Sequence, residues 1–154
     1  MRFLCDEMLV RLARLLRAAG YDTYLASGGQ PDADLLRLAR EEGRLLLTRD
    51  KRLAAAASPD SVLIAGRGVG EEAASLAAAV PVRWDAEPFS RCVVDNAPLR
   101  EATPAQVARM PASARAGAGP FRACPACGRL YWPGSHVRRM SERLSQIAGG
   151  APEA

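Results

Sequence analysis

Histidine and lysine are nearly missing: His136 and Lys51 are each the sole residue of their kind in a chain of 154. One histidine, far from the N-terminal half, leaves little for a metal-free mechanism that moves protons through imidazoles. No apolar run reaches the roughly 18–20 residues that cross a bilayer, and Met1-Arg2-Phe3-Leu4-Cys5-Asp6 meets its first acid without a signal-peptide core. A cytoplasmic protein with no membrane partner is expected. In that setting a Cys124–Cys127 disulfide is disfavoured, and Cys5 reads as a small buried strand residue. No internal repeat is present.

The chain does have the material for a core: apolar residues make up 49% and charged residues 25%, which excludes a disordered, self-repelling polymer. Its length suits one full domain plus a small module. Charge divides unevenly. Residues 1–91 hold 13 acids and 13 bases, whereas residues 92–154 hold 4 and 8, so the net charge of +4 lies in the tail. A neutral body with a basic appendage suits an anionic polymer; a solvated basic surface is the plain alternative. Bases other than Lys51 are arginines, which favours forked contacts to phosphate or reflects genomic base composition.

Hydrophobic spacing predicts alternating strands and helices. Arg2 to Cys5 reads as an apolar strand, and from Met8 a helix places Leu9, Leu12, Leu15, Leu16 and Ala19 on one face and Arg11, Arg14 and Arg17 on the other, ending at Gly20. Tyr21 to Ala26 is a second strand. Asp32 takes the N-cap of a helix that stops at Gly43, Arg44 to Thr48 is a strand buried on both faces, and Lys51 to Ala57 is helical. Ser61 to Ala65 and Glu71 to Val80 complete a βαβαβαβα order, which implies a parallel sheet with helices on both faces and ligands at the carboxyl ends of the strands. Beyond Pro81 prolines interrupt every long run. Thr103-Pro104-Ala105-Gln106 reads as a capping box, Ala112 to Gly119 as a link of small residues, and the chain from Gly149 as a frayed end.

The acids fall where such a sheet binds ligands. Asp6 ends the first strand, Asp50 ends the third, and Asp32 and Asp34 open the helix between them. Taken singly, each is ordinary capping or turn chemistry. Gathered on one rim they repel unless a cation joins them, and hard Mg²⁺ or Mn²⁺ is the natural occupant, able to activate water against a phosphodiester. Arg49 and Lys51 flank Asp50 and either hold phosphate or pair with nearby acids.

The segments Phe3-Leu4-Cys5-Asp6-Glu7-Met8-Leu9, Leu12 to Thr23, Asp34-Leu35-Leu36 and Glu42 to Asp50 resemble the Mut7-C ribonuclease domain, a family of PIN-like nucleases. The resemblance implies a PIN-like nuclease domain over residues 1–88, a zinc-ribbon-like basic module over 89–148 and a flexible tail over 149–154. It also implies metal-dependent RNA hydrolysis with Asp6, Asp32 and Asp50 as catalytic acids, and Asp34 where the family often has another. The family places two CxxC knuckles in the tail. Cys124-Pro125-Ala126-Cys127-Gly128 is intact, while Cys92-Val93-Val94-Asp95-Asn96 carries Asp95 at the second cysteine's position.

Three cysteines and a carboxylate can bind structural Zn²⁺, with His136 a rival fourth ligand. Trp132 among Arg129 and Arg138 mixes stacking surface with charge, as single-stranded RNA binding requires, or forms the ribbon's own core. Two other functions remain open: a non-catalytic RNA-binding adaptor that keeps the fold, and a pocket for a small phosphorylated molecule.

Overall fold

The computed structural model describes residues 1–150; of the tail expected over 149–154, residues 151–154 lie outside the described residues. Strands β1 (Arg2–Cys5), β2 (Asp22–Leu25), β3 (Leu45–Thr48) and β4 (Ser61–Leu63) alternate with helices α1 (Val10–Ala18), α2 (Asp32–Glu42), α3 (Lys51–Ala57) and α4 (Val69–Ala79). All the strand pairs are parallel and the sheet order is β2-β1-β3-β4. Because side chains alternate along a strand, β1 feeds two cores. Phe3 and Cys5 pack with Leu12 and Leu16 of α1 and Ala73 and Leu76 of α4. Leu4, with Leu46 of β3, packs with Leu35 and Ala39 of α2 and Leu53 of α3. The helices thus cover both faces, as the apolar runs require.

Local starts differ from the sequence expectation in instructive ways. A single 3-10 turn (Glu7–Leu9), capped by the Asp6 carboxylate through Met8 N at 2.8 Å, precedes α1. At α2 the N-cap is Pro31, whose carbonyl accepts from Asp34 N and Leu35 N, so the side chain of Asp32 is spared capping and stays exposed. Arg17 departs most. Arg11 and Arg14 are exposed, but Arg17, expected beside them on the solvent face, is 6% exposed. The reason lies far along the chain: residues 92–96 fold over the end of α1 and give it carbonyl acceptors.

The second half forms a small antiparallel sheet of β5 (Arg100–Glu101), β6 (Arg122–Ala123) and β7 (Leu130–Tyr131). Helix α5 (Pro104–Ala108) opens on the expected capping box between Thr103 and Gln106. Helix α6 (Ala112–Arg115) occupies part of the stretch expected as a link. Helix α7 (Ser135–Ala148) falls where the prolines suggest only loops, although Val137, Met140, Leu144 and Ile147 recur at helical spacing. It packs on α4 and buries Leu144. Cys92, Cys124, Tyr131 and Leu144 belong to the same apolar cluster as Phe3 and Leu16, so one core runs from the parallel sheet into the tail. Among the described residues no helix is long and apolar enough to cross a membrane.

Candidate active site and metal centre

The order β2-β1-β3-β4 makes the chain leave β1 and β3 in opposite directions, and a crevice opens at the carboxyl ends of such a pair. Asp6 follows β1 and Asp50 follows β3. Both line one cleft of about 160 Å³ together with Glu7, Asp32, Ser27 and Gln30. Asp34 does not line it; it pairs with Arg37 at 3.0 Å on the outer surface of α2.

Thr48 organises the two strand ends. Fully buried, its hydroxyl donates to Asp6 Oδ2 and accepts from Asp50 N at 3.0 Å. Asp6 Oδ1 is fixed by Met8 N, and Asp50 Oδ1 accepts from Arg52 N at 2.7 Å and Leu53 N at 3.1 Å. One oxygen of Asp50 and both of Asp32 are left for a ligand. Sequence reading missed Thr48, although a hydroxyl residue two places before the acid at a strand end was the available signal.

Ion pairing separates these acids from the others. Among the described residues no arginine or lysine pairs with Asp6, Glu7, Asp32 or Asp50. Arg49 turns away to Glu72 at 3.3 Å, and Lys51 is exposed with no ion-pair partner among the described residues. Asp6, 8% exposed, has each oxygen satisfied by one hydrogen bond, from Met8 N and from Thr48, and no cationic side chain beside it among the described residues. Asp32, Asp50 and Glu7 line the same cleft, but among the described residues the group of three or more such side chains whose ligand atoms lie within 4.8 Å of one another is the cysteine cluster, not these acids.

A second cluster lies near the amino ends of the strands. The ligand atoms of Cys92, Asp95, Cys124 and Cys127 all lie within 4.8 Å of one another. Cys92 Sγ and Cys127 Sγ are 3.8 Å apart, close to the edge of about 3.8 Å that a tetrahedron with 2.3 Å Zn–S bonds requires. The two knuckles repeat one backbone design. Asn96 N donates to Cys92 O at 3.0 Å as Gly128 N does to Cys124 O at 2.9 Å, and Cys92 N and Cys124 N donate to Ala97 O and Arg129 O, both at 2.9 Å. Asn96 (φ 70°) and Gly128 (φ 74°) both adopt the left-handed turn that this loop needs. Asp95 therefore stands where Cys127 stands in the other half. His136 is outside the cluster, exposed on α7 and bonded to Arg139.

Burial raises the Asp95 pKa, but the Ala97 amide and the thiols of Cys127, Cys124 and Cys92 outweigh that and bring it to about 2. The Arg129 backbone favours the Cys127 thiolate, yet Asp95 and the other two thiols push its pKa up to about 12. Tyr131 completes the surroundings, its hydroxyl donating to Cys92 Sγ at 3.2 Å and accepting from Val93 N at 3.1 Å.

The basic and aromatic residues are dispersed. Trp132 lines a cleft of about 500 Å³ with Phe89, Arg122, Tyr131 and Pro133, whereas Arg129 and Arg138 are exposed and do not line it.

A segment of 47 residues, 30% of the chain, is 43% identical to the human (Homo sapiens) exonuclease mut-7 homolog, of whose length it covers 5%. No solved structure matches the chain. The Mut7-C RNAse domain matches residues 1–144, spanning both the acidic cleft and the cysteine cluster. A match over nearly the whole chain settles its membership: this protein belongs to the Mut7-C RNAse domain family.

Proposed function

We propose that the protein is a metal-dependent ribonuclease of PIN-like fold, cutting single-stranded RNA at the cleft formed by Asp6, Asp32 and Asp50. The observation that carries this reading is the set of carboxylates without cationic partners at the sheet's switch point, in a chain with 21 basic residues. Mg²⁺ or Mn²⁺ bound there supplies an activated water and offsets charge on the leaving oxygen. Thr48 holds Asp6 in place, the α3 amides hold Asp50, and Asp32 presents an uncommitted carboxylate from the start of α2. Asp34, tied to Arg37, sits outside this set and contributes little. Lys51 beside Asp50 receives phosphate, and Arg49 does so with the donors that Glu72 leaves free.

In the same reading residues 1–88 form the nuclease unit and 89–148 a zinc-ribbon-like module that grips the strand through Arg129, Trp132 and Arg138. Cys92, Asp95, Cys124 and Cys127 hold a structural Zn²⁺ in that module. Alanine at Asp6, Asp32 or Asp50 is expected to abolish cleavage while circular dichroism stays native, with Asp34→Ala close to wild type. Retained cleavage in Asp6→Ala and Asp50→Ala would contradict the assignment, and RNA binding without turnover in Mn²⁺ would favour the adaptor.

A further inference from the structure

Among the described residues, Asp6, Arg17, Arg44 and Glu72 are the buried charged side chains. Arg44 pairs with Asp22 and Glu42, and Glu72 with Arg49. Asp6 and Arg17 have no ion-pair partner among the described residues. Burying a charge without a counter-charge is unfavourable even when it is hydrogen-bonded, so each needs a reason. The candidate metal cleft accounts for Asp6. For Arg17, 6% exposed, the requirement is reversed: a buried cation with no ion pair at contact distance among the described residues, drawn only by the more distant Cys5, Cys92 and Asp95.

Its hydrogen bonds show where that anion belongs. Arg17 Nη1 donates to Val94 O at 2.7 Å and Val93 O at 3.2 Å, and Nε to Thr23 O at 2.9 Å. Val93 and Val94 are the two residues between Cys92 and Asp95, so the guanidinium lies against the backbone of the first knuckle. Asn96 fastens the other side of that knuckle, donating to Asp22 Oδ1 at 2.7 Å and accepting from Thr23 N at 2.9 Å. Three thiolates and one carboxylate carry four negative charges, and a divalent ion cancels only two. A loaded site is thus a compact dianion at the edge of an apolar core.

We propose that Arg17 is the positioning residue and counter-charge of this centre: it shapes the first knuckle through the Val93 and Val94 carbonyls and offsets the excess negative charge of the metal-loaded Cys₃Asp set. The inference rests on the zinc reading of that cluster and is independent of RNA cleavage. It gives α1 a link to both sites, since the turn that Asp6 caps leads into this helix and Arg17 lies in its last turn.

The test is Co²⁺ binding to the full chain, followed by thiolate charge-transfer and tetrahedral d–d absorption, with affinities from chelator competition. Arg17→Gln, which keeps an N–H donor and removes the charge, is expected to weaken binding about 10–100-fold, the usual cost of losing a partner of the ligands. Arg17→Lys, which keeps the charge and loses the fork, should bind more tightly than Arg17→Gln. In an Asp95→His background, where the neutral ligand lowers the excess charge by one, the cost of Arg17→Gln should shrink. Equal affinities for wild type and Arg17→Gln, or equal losses in Arg17→Lys and Arg17→Gln and in both backgrounds, would overturn the counter-charge. Wild type without Co²⁺ affinity would remove the zinc reading as well.

Discussion

Thr48 is the residue on which the geometry of the acidic cleft turns. Its hydroxyl is shared between the Asp6 carboxylate and the Asp50 amide, which fixes the two strand ends relative to each other. Valine has the same shape without the hydroxyl. Thr48→Val should therefore lower cleavage about 10–100-fold, in the range for lost support of a metal ligand, while a folded spectrum persists. Activity equal to wild type would show that Asp6 holds its orientation without this bond. The acids themselves were legible in the sequence because strand ends and helix starts can be read from periodicity. What could not be read was which of them are paired: Asp34 finds Arg37 one turn on, and Asp32 is freed from capping by Pro31. Arg17 shows the same limit in reverse, since its place on the polar face of α1 says nothing of residues 92–96 folding over it.

Among elements, the first knuckle and the edge strand β2 form one unit. Asp22 of β2 accepts from Arg44 at 2.7 Å and from Asn96 at 2.7 Å. Partial burial raises its pKa, but these two hydrogen bonds outweigh that and hold it below the ordinary carboxylate range. A folded-state pKa that is depressed contributes stability above the unfolded value of about 3.9 and loses it as pH falls further through the folded value. Docking of the knuckle should thus loosen below about pH 4, seen as falling amide protection at Thr23 and Asn96 after correction for intrinsic exchange rates. Asp22→Asn should show reduced protection already at neutral pH and lack this acid step; protection identical to wild type across the range would contradict the docking role. The parallel βα order was legible because apolar runs and glycine stops are local signals. Helix α7 was not, because a dense proline background masks the spacing of Val137, Met140, Leu144 and Ile147, and its partner α4 lies more than fifty residues away.

At the scale of the whole molecule, two candidate metal centres sit at opposite ends of the parallel sheet, joined by α1 and by a core that both halves of the chain share. Carboxylates line the cleft at the carboxyl ends, and thiols with one carboxylate gather near the amino ends. Each ligand set suits a different kind of ion, the oxygens one that keeps water for chemistry and the thiolates one closed to it. The cysteine spacing announced the second centre, and the repeat of knuckle hydrogen bonds places Asp95 in it as an equal of Cys127.

The most direct test of the central claim is cleavage of a labelled single-stranded RNA by the purified chain in Mn²⁺, in EDTA, and by Asp50→Asn in Mn²⁺ after its fold has been checked. Products are expected only for the wild type in Mn²⁺. Cleavage that persists in EDTA or in the folded Asp50→Asn variant would contradict an acidic, metal-dependent active site.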